Sequence, residues 1–64
     1  MKYYVINWTN VFKKGLPLKD NILGEFDNWV DASDYITQLS IKDYKKGIKD
    51  WYYAMSEEEM ERYK

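Results

Sequence analysis

The residues that most often carry catalysis or bind metals are missing from this chain. Its 64 residues include no Cys and no His, so it lacks the thiolate nucleophile, the imidazole base and the commonest zinc ligands. No Ser lies in a nucleophile-elbow pattern, and Gly15, Gly24 and Gly47 are isolated rather than gathered in a phosphate-binding loop. So short a chain also has little material to enclose a pocket. We expect no enzyme activity, no metal site and no cofactor.

Carboxylates form two groups along the chain. In the first group the acidic residues are spaced four and three apart, which places them on one side of a helix. The second group follows Ser56, where negative charge favours the start of a helix. Neither group has the Gly-centred spacing of a calcium loop. The resulting candidate acidic contact patch comprises Asp27, Asp31, Asp34, Glu57, Glu58 and Glu61.

Lysines are concentrated between these two acidic groups. The candidate basic contact patch comprises Lys42, Lys45, Lys46 and Lys49. Together with the neighbouring rings of Tyr44 and Trp51, these cations have the ingredients of a surface that binds single-stranded nucleic acid. However, Asp43 and Asp50 dilute the cluster, and the net charge of the chain is -1. Nucleic acid is therefore the less favoured partner.

Aromatic residues make up 19% of the chain, as seven Tyr, three Trp and two Phe. A domain of about 60 residues buries only about 60% of the surface of its unfolded chain, so some of these large rings must stay outside. We assign Trp8, Trp29 and Trp51 to the core. Exposed rings favour protein interfaces, because they bury much area at little entropic cost. The candidate partner-binding residues are Tyr3, Tyr52, Tyr53 and Tyr63.

The first part of the chain has the composition of a β-hairpin. Alternating β-branched and aromatic residues predict a strand at about 3–12, and a second extended run predicts another at about 21–27. Gly24 indicates a bulge or a close backbone approach in the second strand. We expect the two strands to pair antiparallel.

An apolar stripe then predicts an amphipathic helix at about 29–39. Asp27 or Asn28 is positioned to cap its first turn. The members of the stripe are Trp29, Ala32, Tyr35, Ile36 and Leu39.

Two interpretations compete for the region that follows. Apolar residues spaced three and four apart predict a second helix at about 41–55. Alternatively, a short helix ends at Gly47 in a left-handed cap, and 48–55 forms a third strand. We favour the helix, because a Gly inside a helix costs only about 1 kcal/mol. The members of this second stripe are Ile41, Tyr44, Ile48, Trp51 and Met55.

The chain closes with a helix-start signal, in which Ser56 and Glu59 form a capping box that predicts a helical turn at about 57–63. The sequence as a whole predicts one small α+β domain at 1–64, with a hairpin followed by helices. Its longest apolar runs are far below the roughly 20 residues of a membrane span. The four apolar residues after Lys2 are too few for a signal peptide. We expect a cytoplasmic protein with no membrane role.

In size and Cys-free composition, the chain resembles the small proteins that phages and other mobile elements encode to block host enzymes or defence complexes. That resemblance implies a non-catalytic module that binds a larger protein partner through an exposed Tyr/Trp surface. Two other functions stay open. One is binding of single-stranded nucleic acid, and the other is self-assembly into a structural homodimer.

Overall fold

A computed structural model describes residues 1–62 and shows an α+β fold built on an antiparallel sheet. The predicted fold class is therefore confirmed, with a hairpin ahead of the main helix. Two irregular turns fill the hairpin connection: a π-helical turn at Thr9–Lys13 and a 3₁₀ turn at Leu18–Asn21. In the described part of the chain, the strands are β1 (Tyr3–Asn7), β2 (Ile22–Phe26) and β3 (Tyr52–Ser56), and the helices are α1 (Trp29–Lys46) and α2 (Glu57–Arg62).

The sheet has the strand order β2-β1-β3, so β1 lies between two antiparallel neighbours. Val5 is paired with Gly24 on one side and with Ala54 on the other. Directly paired residues point to the same face of a sheet. Gly24 lies against Tyr35 of α1, and these three residues therefore occupy the face that α1 covers. Successive residues alternate, so Tyr4 and Ile6 belong to the opposite face.

Gly24 meets both expectations drawn from the sequence. The register between β1 and β2 shifts between Val5 and Ile6, which is a bulge in the ladder. A Cβ atom on Gly24 would lie 3.0 Å from Cε2 of Phe26 and 3.5 Å from Cε2 of Tyr35. A larger residue would therefore push against the rings that join β2 to α1.

Strand β1 is shorter than predicted, since it ends at Asn7 and not near residue 12. The side-chain Oδ1 of Asn7 accepts a hydrogen bond from the backbone N–H of Asn10 at 3.1 Å. The N–H of Lys14 donates to the carbonyl of Thr9 at 3.3 Å and closes the π turn. Such local side-chain bonds offer the backbone an alternative to a β ladder, and here they end the strand.

One continuous helix, α1, replaces the two helices predicted at 29–39 and 41–55. Asn28 is its N-cap, because its Oδ1 accepts from the N–H of Asp31 at 2.9 Å. The helix ends at Gly47, which has a φ of 74°. There the N–H of Ile48 donates to the carbonyl of Asp43 at 2.8 Å and the N–H of Gly47 donates to that of Tyr44 at 3.2 Å. This pair of bonds is a Schellman motif.

The favoured helix through residue 55 is therefore wrong, and the alternative of a third strand is correct. The strand is shorter than 48–55, because it spans Tyr52–Ser56 and pairs with β1 along its whole length. The capping box is confirmed as well. The N–H of Glu59 donates to Oγ of Ser56 at 3.3 Å, and the N–H of Ser56 donates to Oε1 of Glu59 at 3.5 Å.

The core lies in a thin molecule, whose Cα extents are 33 × 27 × 12 Å. A slab of two layers cannot cover every large ring. Trp29 and Trp51 are 56% and 66% exposed, and Trp8 is half-buried, so the assignment of Trp29 and Trp51 to the core is wrong. The fully buried apolar side chains among residues 1–62 are Val5, Ile6, Ala32 and Met55.

Candidate functional site

Three rings contact one another in a row where β1 ends and β3 begins, and Trp51 adjoins them through its backbone. Trp8 stacks on Phe12, with ring centroids 5.8 Å apart and planes inclined by 13°. Trp8 also contacts Tyr53, with ring centroids 5.7 Å apart and planes inclined by 54°. Tyr53 pairs with Ile6, so this row lies on the face of the sheet opposite α1. We call Trp8, Phe12, Trp51 and Tyr53 the aromatic cluster.

Trp51 reaches the cluster through backbone contacts with the end of β1. The N–H of Trp8 donates to the carbonyl of Trp51 at 2.9 Å, and the N–H of Trp51 donates to Oγ1 of Thr9 at 2.7 Å. The ammonium group of Lys13 lies 5.3 Å from the centroid of the Trp51 ring. That distance is suitable for a cation–π contact, which orients an otherwise exposed ring.

Amide side chains hold the turn that presents Phe12. Nδ2 of Asn10 donates to Oδ1 of Asn21 at 2.9 Å, and Nδ2 of Asn21 donates to the carbonyl of Pro17 at 2.8 Å. Asn21 is only 8% exposed. The π turn is thus fixed to the 3₁₀ turn. Because these bonds exist before any partner arrives, the cluster loses little conformational freedom on binding.

The tyrosines predicted to bind a partner occupy different positions. Tyr53 belongs to the aromatic cluster, whereas Tyr3 and Tyr52 are half-buried on the face of the sheet that α1 covers. The hydroxyl of Tyr52 donates a hydrogen bond to the carboxylate of Asp43. Burial of the phenol and this hydrogen bond raise the pKa of Tyr52. Tyr63 lies outside the described residues.

Sequence reasoning missed four residues of this surface, namely Trp8, Phe12, Lys13 and Trp51. Phe12 was placed in a strand, although the Asn7 and Asn10 spacing is typical of a capped turn. Trp51 was placed on the apolar stripe of a helix. In the alternative, the helix ends at a left-handed Gly47 and Trp51 is not part of it. For Lys13 the sequence holds no comparable signal, because its position depends on contact with a ring 38 residues further along the chain.

The predicted acidic residues have different local contacts in the described structure. Nζ of Lys2 lies 3.1 Å from Oδ1 of Asp27 and 4.0 Å from Oε1 of Glu25. The carbonyl of Lys2 accepts from the N–H of Glu57 at 3.1 Å, so Asp27 and Glu57 both lie near Lys2. The hydrogen bond and charge of Asp27 raise the pKa of Lys2.

The other predicted acidic residues lie on the two helices. Nδ2 of Asn28 donates to Oδ2 of Asp31 at 3.0 Å, which commits that carboxylate to the helix start. Asp34 is exposed on α1, while Glu58 and Glu61 are exposed on α2.

The predicted basic residues are all exposed around the end of α1. Lys42, Lys45 and Lys46 lie in its last turns, and Lys49 follows in the loop toward β3. As far as residue 62, none of the four forms an ion pair with a carboxylate. Positive charge at a helix C-terminus interacts favourably with the helix dipole.

Within residues 1–62, no group of three or more acidic, Cys or His side chains is arranged to hold a metal ion. No helix of that range combines the length and the apolar character needed to cross a bilayer. No family model, curated protein or solved structure matches this chain.

Proposed function

We propose that this protein is a small non-catalytic module that binds a larger protein through the aromatic cluster. In its biological role it inhibits or modulates a host enzyme or defence complex, as proteins of phages and mobile elements do. One observation carries the proposal: Phe12 and Trp51 are exposed, the former by 71%, although hydrogen bonds hold the turns that present them. Exposing a fixed aromatic surface to water is unfavourable in free energy, and a bound partner would remove that surface from water.

The composition of the cluster supports a protein partner. Trp and Tyr are enriched at the centres of protein interfaces, where a few such residues provide most of the binding free energy. Lys13 is exposed beside the Trp51 ring, and Lys14 is exposed next to it in the chain; these cations are suited to the polar rim that surrounds such a centre.

A binding assay with matched variants tests this function. The double variant Phe12→Ser/Trp51→Ser removes two rings of the cluster, and Ile41→Ser removes an exposed apolar side chain from the outer side of α1. A tagged native chain recovers a partner from a low-GC bacterial lysate, and the purified partner is then titrated against all three chains. We expect the double variant to lose about 30-fold or more in affinity and Ile41→Ser to retain it.

Two outcomes would overturn the proposal. One is a double variant that binds the purified partner as tightly as the native chain. The other is recovery of the bait alone at physiological salt.

A second function is favoured by one contact, the ammonium group of Lys13 beside the Trp51 ring. Cations next to exposed rings are typical of surfaces that stack single-stranded bases. Fluorescence anisotropy with an oligothymidylate at about 50 and 200 mM salt distinguishes the two functions, because phosphate contacts weaken steeply with salt. We expect no binding at either salt concentration. Salt-sensitive binding that Lys13→Ala abolishes would replace the protein-binding function.

A further inference from the structure

Helix α1 carries an apolar stripe on the side that faces away from the sheet. Val30, Ile41 and Tyr44 are 62%, 53% and 86% exposed, and Thr37 lies between them in the stripe. At about 100° per residue, these four positions fall within a sector of about 60°, on the side opposite the buried Ala32. Their spacings of seven, four and three residues are typical of a helix that packs along another helix.

Charged side chains follow one flank of this stripe and change sign along it. Asp31 and Asp34 flank the N-terminal half, whereas Lys42 and Lys45 flank the C-terminal half. The helical rotation places all four on the same flank. Asp34, Lys42 and Lys45 have no ion-pair partner among residues 1–62. The charges on this flank therefore complement those on the same flank of a second copy that runs in the opposite direction.

We propose that α1 is the interface of a symmetric homodimer, in which the helices of two copies pack antiparallel along this stripe. A two-fold axis near Gln38 brings Asp34 of one copy opposite Lys42 of the other, and it does so twice. It also brings Tyr44 of each copy beside Val30 of the second. In a parallel pair this flank would face the opposite flank of the partner helix, where Ser33 and Ser40 lie, so only the antiparallel arrangement pairs the charges with one another.

The size of the stripe sets the strength of this association. From residue 30 to residue 44 the helix rises by about 21 Å. One helix face of that length buries less than the roughly 800 Å² per partner of a standard stable interface. We expect a weak dimer, with a dissociation constant on the order of 100 µM, that forms at high protein concentration. The aromatic cluster lies on other elements and stays accessible in this dimer.

Sedimentation equilibrium between about 10 µM and 1 mM protein tests the dimer directly. Ile41→Glu places two carboxylates in the seam and should raise the dissociation constant at least about 10-fold. Ile41 is exposed in the single chain, so the circular dichroism spectrum should not change. The matched control is Phe12→Ser/Trp51→Ser, which should leave the dissociation constant unchanged. A native chain that stays monomeric at about 1 mM, or a dimer that Ile41→Glu does not weaken, overturns the proposal.

A charge exchange tests the antiparallel arrangement. Asp34→Lys and Lys42→Asp should each weaken the dimer about 5-fold, because each sets like charges opposite one another twice. Combining them reverses both pairs and should return the dissociation constant to within about twofold of the native value. Within one helix the two residues are about 12 Å apart, so the rescue reports contact between copies. A double variant as weak as the single variants overturns the antiparallel arrangement.

Discussion

The hydroxyl of Tyr52 donates a hydrogen bond to the carboxylate of Asp43, and this contact ties β3 to the last turns of α1. A second bond supports the same junction, since Nδ2 of Asn7 donates to Oδ2 of Asp50 at 3.1 Å. The loop between α1 and β3 is therefore fixed from both the helix and the central strand. Its stability decides whether residues 52–56 remain in the sheet.

Replacing Tyr52 by Phe removes this hydrogen bond and leaves the Asp43 carboxylate without its donor. We expect the free energy of unfolding to fall by about 1–2 kcal/mol, because the lost bond involves a charged acceptor in a partly exposed position. Urea denaturation measures the change. The control is Tyr44→Phe, whose ring is exposed, and it should have no effect. Equal stability of Tyr52→Phe and the native chain would contradict the role of this contact.

The hydrogen bond between Tyr52 and Asp43 should also make the folding stability depend on alkaline pH. Burial and the Asp43 hydrogen bond raise the pKa of Tyr52 above its unfolded value of 10.0. The folded chain therefore keeps a proton that the unfolded chain loses, so this contribution is complete below pH 10 and is lost as the pH rises through the folded pKa. In Tyr52→Phe the loss of stability above pH 10 should be smaller. Part of the loss should remain in this variant, because burial also raises the pKa of Tyr4.

Asn21 should be necessary for the turns that present the aromatic cluster. Asn21→Ala leaves Nδ2 of Asn10 without its acceptor and removes one of the two donors to the carbonyl of Pro17, which keeps the N–H of Asp20. We expect a loss of about 1–3 kcal/mol in unfolding free energy, since partly buried polar groups would lack hydrogen bonds. Lys19→Ala, an exposed change in the same turn, is the control and should stay within about 0.5 kcal/mol of the native chain. A tolerated Asn21→Ala would show that the turns do not depend on this amide.

Gly47→Ala tests the end of α1. The residue has a positive φ, and an added Cβ would meet nothing within 4 Å, so the cost comes from the backbone alone. We expect destabilisation of about 1 kcal/mol in urea denaturation. Gly47→Asn is the matched control and should cost less, because Asn tolerates the left-handed region better than Ala does. No loss in Gly47→Ala would mean that the helix does not end in this conformation.

The contacts of Glu59 lead us to expect that part of the folding stability is lost in acid. The hydroxyl of Tyr53 donates to its Oε2 at 2.6 Å, and this bond, followed by those from Ser56, lowers the pKa of Glu59 below the usual 4.5. Its contribution to stability is therefore present above pH 4.5 and is lost as the pH falls through the folded pKa. Glu59→Gln should flatten the acid transition and cost about 0.5–1 kcal/mol at neutral pH. Glu58→Gln on the same helix is the control and should retain the native transition.

Tryptophan fluorescence checks the exposure on which the proposed function depends. Acrylamide should quench Trp29 and Trp51 readily in the folded chain, because both side chains are more than half exposed, and Trp8 less so. Trp51→Phe and Trp29→Phe should each reduce the easily quenched fraction, whereas Trp8→Phe should reduce the protected fraction. Uniform protection of all three indoles in a dilute, folded sample would contradict the exposed aromatic surface.

Local patterns predicted the elements whose signals lie within a few residues. The hairpin, the start of α1 at Asn28 and the capping box of Ser56 and Glu59 follow from alternation and from cap spacing. The stripe of α1 was predicted correctly for Ala32, but Trp29 at the start of the helix is 56% exposed. Periodicity says which residues share a side of a helix, and it does not say how far the opposing layer extends.

The sequence by itself determined the lack of Cys and His chemistry, the α+β class and the surplus of rings over what a small interior can hide. It left residues 48–55 open, since helix and strand differ locally by only about 1 kcal/mol at Gly47. The tertiary structure decided that choice, because β1 offers a free edge to residues 52–56 and gains a second ladder of backbone hydrogen bonds. It also decided which rings come together, since Trp8 meets Tyr53 only when β1 and β3 are paired.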